Sequence, residues 1–572
     1  MHTTLFFTWF VTIFIYMMLL STSKRDLTKG SDNLTVNLIY NGFSSVIVAA
    51  ICYYCKVPLT ISGGSFAIIM LATLLTFFAT CSTGRPLRTI FALLGLIAIY
   101  IVTSTFWFNA KDMGNLISPV EINEPLFTDV QDINQRLVPS SVIASSQQKA
   151  VNGRLKDGSM IATMYKLDHS SRIIQIVDGK KYYATPLTWG SQWKWMINDY
   201  DVIGYVLSSA TESGSEAKLI TKNPDGTDIS IKVTKDGYFS ANLYRNLYSK
   251  VGSVNTHGTF FYLDDDFYPY YVSYKVKRAI GIDNYVPDGV YLTDPQTMDV
   301  TYYAQDNIPS FIDANTSESL LLDNIDMWGD YREGLVAALG SKIELSATSF
   351  NDKKEMFFID AAHTQDGTAY FTGMENPSST SKSLSAMMFV DSKTLQPSVY
   401  YPSKEAQNEQ AVIDSVRSSL GNLADKWTPT QPIPYRIYGD VDVWLTPIVS
   451  SRGTSLKVEA YAYTKVFSTD KSVWDFKLSN AVSKLLTQSN ESGDSTNQES
   501  REEITGTVRT IYFVNDMAYL TLDGLGKVIE CNHQSIVECR GINTNQSLSM
   551  ETMKKTDKEL VILGFTTNPL LN

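Results

Sequence analysis

The segment Thr89–Phe108 constrains the fold more than any other, because its twenty residues contain no charged side chain. A helix of that length crosses the roughly 30 Å hydrocarbon core of a bilayer. Three further apolar segments precede it, and the chain beyond it is polar enough for water-soluble domains. These three segments are Leu5–Leu20, Leu34–Tyr53 and Ile61–Thr80. The sequence therefore predicts a four-helix transmembrane bundle over residues 1–108, followed by a large exported body.

The short loops between these segments predict the orientation of the anchor. Basic residues concentrate in the first and third loops, whereas the second loop carries only Lys56. Positively charged loops stay in the cytoplasm, so the N-terminus and the body are both expected on the outside. The first segment lacks the basic n-region and the cleavage site of a signal peptide. We therefore predict a multi-pass protein of the plasma (inner) membrane, with residues after about 108 outside the cytoplasm. The basic residues of the first and third loops are Lys24, Arg25, Lys29, Arg85 and Arg88.

A polar stripe runs along the second segment, where Asn37, Asn41 and Ser44 recur every three or four residues. This spacing places their side chains on one helix face. In lipid, such a face normally turns toward neighbouring helices, where amide and small side chains pack and form hydrogen bonds. A transport pathway is the competing interpretation, but no apolar segment has an acidic or basic residue in its middle. The stripe is predicted to be a packing face within the bundle or between copies of the protein.

Composition excludes several function classes for the body. The chain has 59 acidic and 48 basic residues, a net charge of −11, and no basic arm, so nucleic acid is not an expected partner. It also lacks the sequence motifs of zinc proteases, nucleophile elbows, phosphate loops and dinucleotide sites. No catalytic residue, metal or cofactor is therefore predicted. The 32 tyrosines and 26 phenylalanines favour a β-rich body.

The chain after the anchor divides into four predicted regions. A stalk with little regular structure leads into a β-rich body with duplicated α+β units, which carries helices near Ser317–Leu339 and Lys404–Leu423. A further helix, Ser472–Thr487, and a polar linker follow, and short strands then suggest a small C-terminal β-barrel of OB or SH3-like kind. The whole is predicted to be a membrane-anchored, multidomain, mostly β protein. The four regions are 109–151, 152–466, 467–503 and 504–572.

Two stretches of the β-rich body repeat one pattern. Val290–Tyr303 and Met388–Tyr401 each consist of an apolar strand, an Asp-x-x-Thr turn, and a second strand that ends in Val-x-Tyr-Tyr. The Asp is expected to accept backbone N–H bonds inside the turn, and the Thr hydroxyl to close it from the other side. Repetition of this hairpin indicates duplicated units. The turn residues are Asp294 and Thr297 in the first copy, and Asp391 and Thr394 in the second.

These hairpins resemble the PepSY type of exported domain, in which an apolar strand ends in a D-x-x-T-G-like turn. The resemblance covers only the hairpin of each copy, and the glycine expected after threonine is replaced by Met298 and by Leu395. The resemblance implies small, non-catalytic modules that bind or restrain other envelope proteins. An ordinary β-turn is the competing interpretation.

Two clusters in the body are candidate contact or binding positions. Trp189, Trp193 and Trp195 could form an aromatic contact surface, although closing a domain core is the more common use of such residues. The run Asp264–Asp266 could bind Ca²⁺, but it lacks the EF-hand spacing. A solvated turn is therefore favoured over a calcium site.

The cysteines offer one candidate for chemistry. Cys52 and Cys55 form a CxxC motif at the outer end of the second segment, as a thiol–disulfide exchange site would require. The alternative is that both are apolar residues at a helix end. Cys531 and Cys539 could bridge a hairpin in an oxidising compartment, although their spacing alone does not establish a disulfide.

Together these patterns predict a membrane protein that acts by binding. Its exported body is expected to contact other envelope proteins, or a second copy of itself, as a scaffold or regulator of a cell-envelope assembly. The alternative function is a membrane thiol–disulfide oxidoreductase that uses Cys52 and Cys55. A signal-transducing sensor is disfavoured because the inner loops are too short to hold an output domain.

Overall fold

The computed structural model describes most of the chain. The residues outside the description are 1, 22–31, 58–61, 83–86, 129–136, 153–160, 198–200, 212–215, 253–254, 340–344, 351–352, 355, 378–381, 438–440, 453–454, 470, 477–480, 483, 486–500, 515–516, 533–538, 540–541, 555–558 and 566–572. Most of the predicted linker lies in this set.

The N-terminal part is a group of apolar helices, as expected for a membrane protein. Three helical segments are long and apolar enough to cross a membrane: Thr35–Tyr54, Gly63–Cys81 and Leu87–Gly114. A shorter apolar helical segment, Phe6–Ser21, precedes them. The four helices around these segments contact one another, and they are His2–Ser21, Asp32–Tyr54, Gly63–Ser82 and Leu87–Ser104.

The predicted stalk is wrong, because residues 109–151 contain regular structure that belongs to the body. Helix Phe106–Gly114 extends from the last apolar helix, and Val120–Ile122 forms a parallel strand pair with Ser398–Tyr400. The serine-rich run forms helix Ser140–Ala150, which buries Ile143 and Gln147. The sequence suggested a loop because only these two side chains mark the buried face. Further helices of the body are Ile161–Met164, Gln192–Ile197, Leu243–Val251, Glu318–Tyr331, Leu335–Leu339 and Glu409–Leu420.

Two of the body helices correct the predicted bounds. The helix expected over Ser317–Leu339 breaks after Tyr331, because Gly334 adopts a φ of +82° that an α-helix does not allow. The helix expected from Lys404 begins at Glu409 instead. Asn408 caps it by accepting a hydrogen bond from the Ala411 N–H at 2.9 Å. Its apolar face, at the predicted positions, is buried and consists of Val412, Ile413, Val416 and Leu420.

Strands dominate the rest of the body and form several antiparallel sheets, as the sequence predicts. In chain order the first ten strands are β1 Val120–Ile122, β2 Tyr165–Leu167, β3 Ile173–Val177, β4 Lys180–Trp189, β5 Tyr205–Ser209, β6 Lys218–Ile220, β7 Thr256–Leu263, β8 Pro269–Ile280, β9 Asn284–Thr293 and β10 Val300–Tyr303. The next seven are β11 Ser346–Ala347, β12 Ser349–Phe350, β13 Lys353–Lys354, β14 Phe357–Asp360, β15 Thr368–Glu375, β16 Ala386–Asp391 and β17 Pro397–Tyr400.

The second and third large sheets contain the sequence repeat. The second sheet is an antiparallel meander, in the order β10-β9-β8-β7. The third contains the meander β17-β16-β15-β14, with β1 added at one edge and β11 beside β15. In each meander the Asp-x-x-Thr turn joins the third strand to the fourth. The repeated unit is therefore a four-stranded meander, longer than the hairpin that the sequence reveals.

The first sheet has the order β2-β4-β5-β6, with β3 paired to β4.

A fourth sheet and a closed barrel complete the body. The remaining strands are β18 Trp427–Pro429, β19 Ile433–Ile437, β20 Val441–Arg452, β21 Ser455–Lys465, β22 Val473–Asp475, β23 Arg501–Val514, β24 Met517–Leu522, β25 Val528–Asn532, β26 Ser547–Lys554 and β27 Glu559–Phe565. The sheet has the order β18-β20-β21-β22, with β19 also paired to β20. The barrel closes in the order β23-β24-β25-β27-β26.

The start of the helix predicted over Ser472–Thr487 is wrong, because its first residues form β22. This strand pairs with Tyr461–Tyr463 of β21. Trp474 donates a hydrogen bond from Nε1 to the Ser419 carbonyl at 3.0 Å and stacks edge-on against Trp427. These partners are distant in sequence, and the local pattern did not reveal them.

Shared cores join the sheets into a continuous body. Phe261 and Tyr271 of the second sheet pack with Tyr205 of the first. Trp444 of the fourth sheet is fully buried against Phe371 of the third. Burial of each such side chain contributes about 1.5–3 kcal/mol.

Candidate functional site

The body rests on one end of the helical anchor, and helix Leu243–Val251 makes the central contact. Tyr248 is buried there: its hydroxyl donates to the Val57 carbonyl at 2.9 Å and accepts from the Trp9 indole at 3.3 Å. The Arg245 guanidinium lies over the rings of Tyr53 and Tyr54, 5.5 and 5.8 Å from their centroids. These cation–π contacts join the body to the end of the second apolar helix.

Three further contacts complete what we call the anchor–body interface. The turn between β8 and β9 meets the fourth apolar helix, where the Ile282 N–H donates to Ser104 Oγ at 3.1 Å. The same turn faces the third helix, since a Cβ at Gly63 would collide with the Asp283 carboxylate. Tyr331 stacks on Phe106, at the start of helix Phe106–Gly114. All four apolar helices thus present one end to the body.

The direction of the helices follows from these contacts. Trp9 in the first helix and Val57 after the second both reach Tyr248, whereas Ser21 and Asn41 meet farther along the pair. The first two helices are therefore antiparallel, and the start of the first lies on the same side as the body.

The polar stripe of the second helix is buried inside the helical group. Asn37, Asn41 and Ser44 are between 0 and 7% exposed. The Asn41 amide donates to Ser21 Oγ at 2.7 Å and to Met18 Sδ at 3.3 Å. Asn41 therefore packs against the first helix, and Asn37 and Ser44 are buried beside it on the same helix face.

The three tryptophans of the predicted contact surface have separate environments. Trp189 is buried in the core between the first two sheets, at 4% exposure. Trp195 is half-buried and stacks on Phe239 with ring centroids 5.6 Å apart. Trp193 is 71% exposed. Trp189 therefore closes a domain core, whereas Trp193 is exposed and does not.

The two Asp-x-x-Thr turns have the same hydrogen bonds. Asp294 Oδ1 accepts from the Gln296 and Thr297 N–H groups, and Asp391 Oδ1 accepts from the N–H groups at the equivalent positions, Lys393 and Thr394. Each Thr Oγ1 then accepts from the backbone N–H two residues later, at 3.3 Å in both copies. This is the closure that the sequence predicts. The turn residues are structural in both copies, and the two threonines are exposed.

The acidic run Asp264–Asp266 forms the turn between β7 and β8, as the sequence favours. Asp264 Oδ1 accepts from the Asp266 and Tyr268 N–H groups at 3.0 and 2.8 Å. Asp265 and Asp266 are exposed to solvent. Across the described part of the chain, no three His, Cys, Asp or Glu side chains are grouped to hold a metal ion.

Two buried carboxyl groups of the body, those of Glu409 and Asp313, have strongly raised pKa values. The sequence did not single them out. Glu409 is 3% exposed; burial, with a smaller contribution from the nearby charge of Glu375, raises its pKa to about 7. Its Oε1 accepts from Thr348 at 2.9 Å, whereas Oε2 has no hydrogen-bond partner among the residues that the structure describes. Burial likewise raises the pKa of Asp313 to about 6, although its Oδ2 accepts from the Ile176 N–H at 2.7 Å. Both carboxyl groups are buried within the body, and their raised pKa values make the stability of the fold depend on pH.

The CxxC cysteines differ in accessibility. Cys52 is fully buried among Trp9, Ile13 and Val48 of the helical group, whereas Cys55 is exposed. Both are free thiols. Cys531 and Cys539 form a disulfide across 5.9 Å between their Cα atoms. A thiol enclosed by apolar side chains is a poor nucleophile, because burial disfavours the thiolate.

Comparison with known proteins gives no family for this chain: no protein-family model matches it. A comparison with curated proteins also finds no match. Two features of the described residues are the basis for a functional proposal. They are the anchor–body interface and the exposed surfaces beside it.

Proposed function

We propose that this protein is a multi-pass protein of the plasma membrane whose outer body binds other envelope proteins, or a second copy of itself. In this role it is a scaffold or regulator of a cell-envelope assembly. The observation that carries the proposal is the anchor–body interface. The body contacts the ends of all four apolar helices, so binding surfaces on the body have a defined height and orientation above the bilayer.

The buried stripe of the second helix supports a four-helix anchor for this body. Asn41 and its neighbours use the first helix as their partner, so the first helix belongs to the same transmembrane unit in our proposal. Interhelical contacts of amide and hydroxyl groups are the usual means of joining helices in lipid. We therefore include His2–Ser21 as a fourth span.

The contacts of the barrel favour a role in packing within the body over a role in ligand binding. Its strand order, with β25 and β27 parallel, is the one we expect of an OB barrel rather than an SH3-like barrel. OB barrels bind oligonucleotides or saccharides on the face of their second and third strands. Here the outer side of those strands, with Tyr519 and Val528, packs against Tyr461 and Tyr463 of the fourth sheet. The body itself covers that face, which fits a chain without a nucleic-acid partner.

The repeated meanders support a role in protein binding through their resemblance to PepSY-type modules. The hydrogen bonds of the two turns agree atom for atom, and the shared unit is a whole four-stranded meander. Duplication of a non-catalytic unit offers two related surfaces in one body. We propose that these units contact the partner protein.

The test is gentle detergent extraction of the native full-length protein, followed by sizing and mass spectrometry. We expect a partner in fixed stoichiometry or a defined homo-oligomer. A monomer without any partner would overturn the proposal.

A matched pair of variants tests the role of the anchor–body interface. Arg245→Ala combined with Tyr248→Ala removes two side chains that contact the anchor and should lower recovery of the partner. Lys250→Ala changes an exposed residue of the same helix and should leave recovery unchanged. Equal recovery from both variants would contradict a positioning role for the interface.

A further inference from the structure

The body exposes large apolar side chains on one short helix and on the loop that leads into the helix resting on the anchor. On the short helix Gln192–Ile197, the side chains of Trp193, Met196 and Ile197 are 71, 57 and 75% exposed, and Phe239 is 59% exposed. Trp195 joins the two parts, because it stacks on Phe239. We call Trp193, Met196, Ile197 and Phe239 the apolar patch. Large exposed apolar patches on a folded protein mark a contact with protein or membrane.

Backbone and side-chain hydrogen bonds fix the position of Phe239 relative to the anchor. Phe239 precedes Asn242, the N-cap of the helix that rests on the anchor. The Asn242 amide donates to the carbonyls of Lys235 and Gly237, and the Lys56 ammonium of the anchor donates to its Oδ1 at 3.5 Å. The loop that carries Phe239 is therefore tied to the end of a membrane helix. Three residues of chain reach at most about 11 Å, so Phe239 lies near the level where that helix leaves the bilayer.

A second exposed apolar pair lies beside another part of the anchor–body interface. Val336 and Leu339 are 86 and 57% exposed on helix Leu335–Leu339. This helix packs against Phe106–Gly114, in which Trp107 and Phe108 are also exposed. Among the described residues after 114, Val336, Ile197 and Trp193 are the three most exposed large apolar side chains. Val336 lies on the helix that packs against Phe106–Gly114. Ile197 and Trp193 lie on the helix whose Trp195 stacks on Phe239, in the loop tied to the anchor.

We propose that the body inserts the apolar patch into the outer leaflet of the membrane, at the boundary between headgroups and acyl chains, as a second membrane contact beside the transmembrane helices. Tryptophan and aliphatic side chains are suited to that boundary, because the indole places an apolar ring and a polar N–H there together. Apolar faces of interfacial helices enter this layer to a depth of about 5–10 Å. Continuity with the anchor selects lipid as the occupant, because the anchor fixes the bilayer next to the patch.

The experiment measures lipid contact in full-length protein reconstituted into fluid phosphatidylcholine vesicles. Cys52, Cys55 and Cys81 are replaced by Ala, and an environment-sensitive fluorophore is attached to Ile197→Cys. The matched control carries the fluorophore on Phe513→Cys, an exposed aromatic position of the barrel, which packs against the fourth sheet. Both positions are more than half exposed, so neither substitution removes a core side chain.

We expect the emission of the fluorophore at Ile197→Cys to be blue-shifted. Spin-labelled lipid should quench this fluorophore more than the control by roughly threefold or more, because insertion at the acyl boundary brings it close to the lipid. Equal quenching of both labels by lipid would overturn the proposal, because the patch would then lie in water. A label shielded from both lipid and aqueous iodide would also overturn it, since a second copy of the protein would then cover the patch. Met196→Cys, 57% exposed within the same patch, provides a second labelling position, judged by the same criteria, if Ile197→Cys folds poorly. The proposal rests on the membrane anchor of the proposed function, but the measurement needs no partner protein, so its failure would leave the partner-binding role untouched.

Discussion

Asp294 and Asp391 occupy the same place in two separate sheets, and each accepts two backbone N–H bonds through Oδ1 inside its own turn. Asp391 also accepts the Gln365 N–H through Oδ2 at 2.8 Å. It therefore ties its own turn to the turn between β14 and β15. Two turns with the same hydrogen bonds indicate one structural solution used twice.

Replacing Asp391 by Ala should lower the free energy of unfolding by about 1–3 kcal/mol, because it removes the acceptor of these three N–H groups. Thermal unfolding of the detergent-solubilised protein measures the change. Asp265→Ala is the control, since this side chain is exposed in a turn and should shift stability by less than about 0.5 kcal/mol. Equal effects of the two substitutions would contradict the structural role of Asp391.

The residue after each turn threonine adopts a left-handed backbone conformation, with φ of +69° at Met298 and +58° at Leu395. A side chain in this conformation costs about 1–2 kcal/mol relative to glycine, part of which the flexibility of glycine in the unfolded chain offsets. Leu395→Gly should therefore stabilise the protein by up to about 1 kcal/mol. Met298→Gly should stabilise less or destabilise, because Met298 also packs against a hydrophobic core. Thermal unfolding of the two variants decides this, and the opposite order would refute the argument.

The sequence predicts the features that arise from contacts between residues close in the chain, and it misses those that depend on residues far apart. The Asp-x-x-Thr turns and the buried face of helix Glu409–Leu420 arise from contacts within a few residues, and the sequence predicts both. The strand β22 and the anchor–body interface depend on partners far along the chain. Tyr248 contacts Trp9 and Val57 at separations of 239 and 191 residues, and no periodicity reports such pairs. The sequence does not single out Phe239 for the same reason, because its contact with Trp195 joins residues that are far apart in the chain.

The carboxyl group of Glu409 should make stability depend on pH. Its pKa is about 7 in the folded protein against an ordinary value of 4.5, so the folded state binds more protons between these pH values. The free energy of unfolding therefore falls as pH rises from about 4.5 to 7, by on the order of 3 kcal/mol from this group. Asp313, whose pKa is raised to about 6, also lowers the free energy of unfolding as pH rises, over a range at lower pH.

The variant Glu409→Gln should remove this dependence, so that it is more stable than the wild type at pH 8 and similar at pH 5. Melting temperatures in detergent across that range provide the measurement. Glu375→Gln is a second variant, because loss of the Glu375 charge should lower the pKa of Glu409 and shift the window to lower pH. Parallel melting curves for wild type and Glu409→Gln would exclude the effect.

The hydroxyl of Tyr248 should hold helix Leu243–Val251 on the anchor. Tyr248→Phe keeps the ring but removes the hydrogen bonds to Val57 and Trp9, at a cost of about 1 kcal/mol. Backbone hydrogen exchange of this helix should then accelerate by roughly fivefold, the factor that corresponds to about 1 kcal/mol. Lys250→Ala, on the exposed side of the same helix, should leave exchange unchanged. Unaltered exchange in Tyr248→Phe would show that the hydroxyl does not secure the helix.

Replacing Cys52 by Ala and Cys55 by Ser should leave partner recovery and abundance unchanged. The physical reason is that thiol–disulfide exchange needs an accessible thiolate, and Cys52 is fully buried within the helical group. Alanine is used at Cys52 because a hydroxyl among Trp9, Ile13 and Val48 would itself be destabilising. Extraction and mass spectrometry of the double variant give the readout, with the wild type treated in parallel. Loss of function at normal abundance and normal melting temperature would contradict the binding proposal and favour an oxidoreductase that uses this pair.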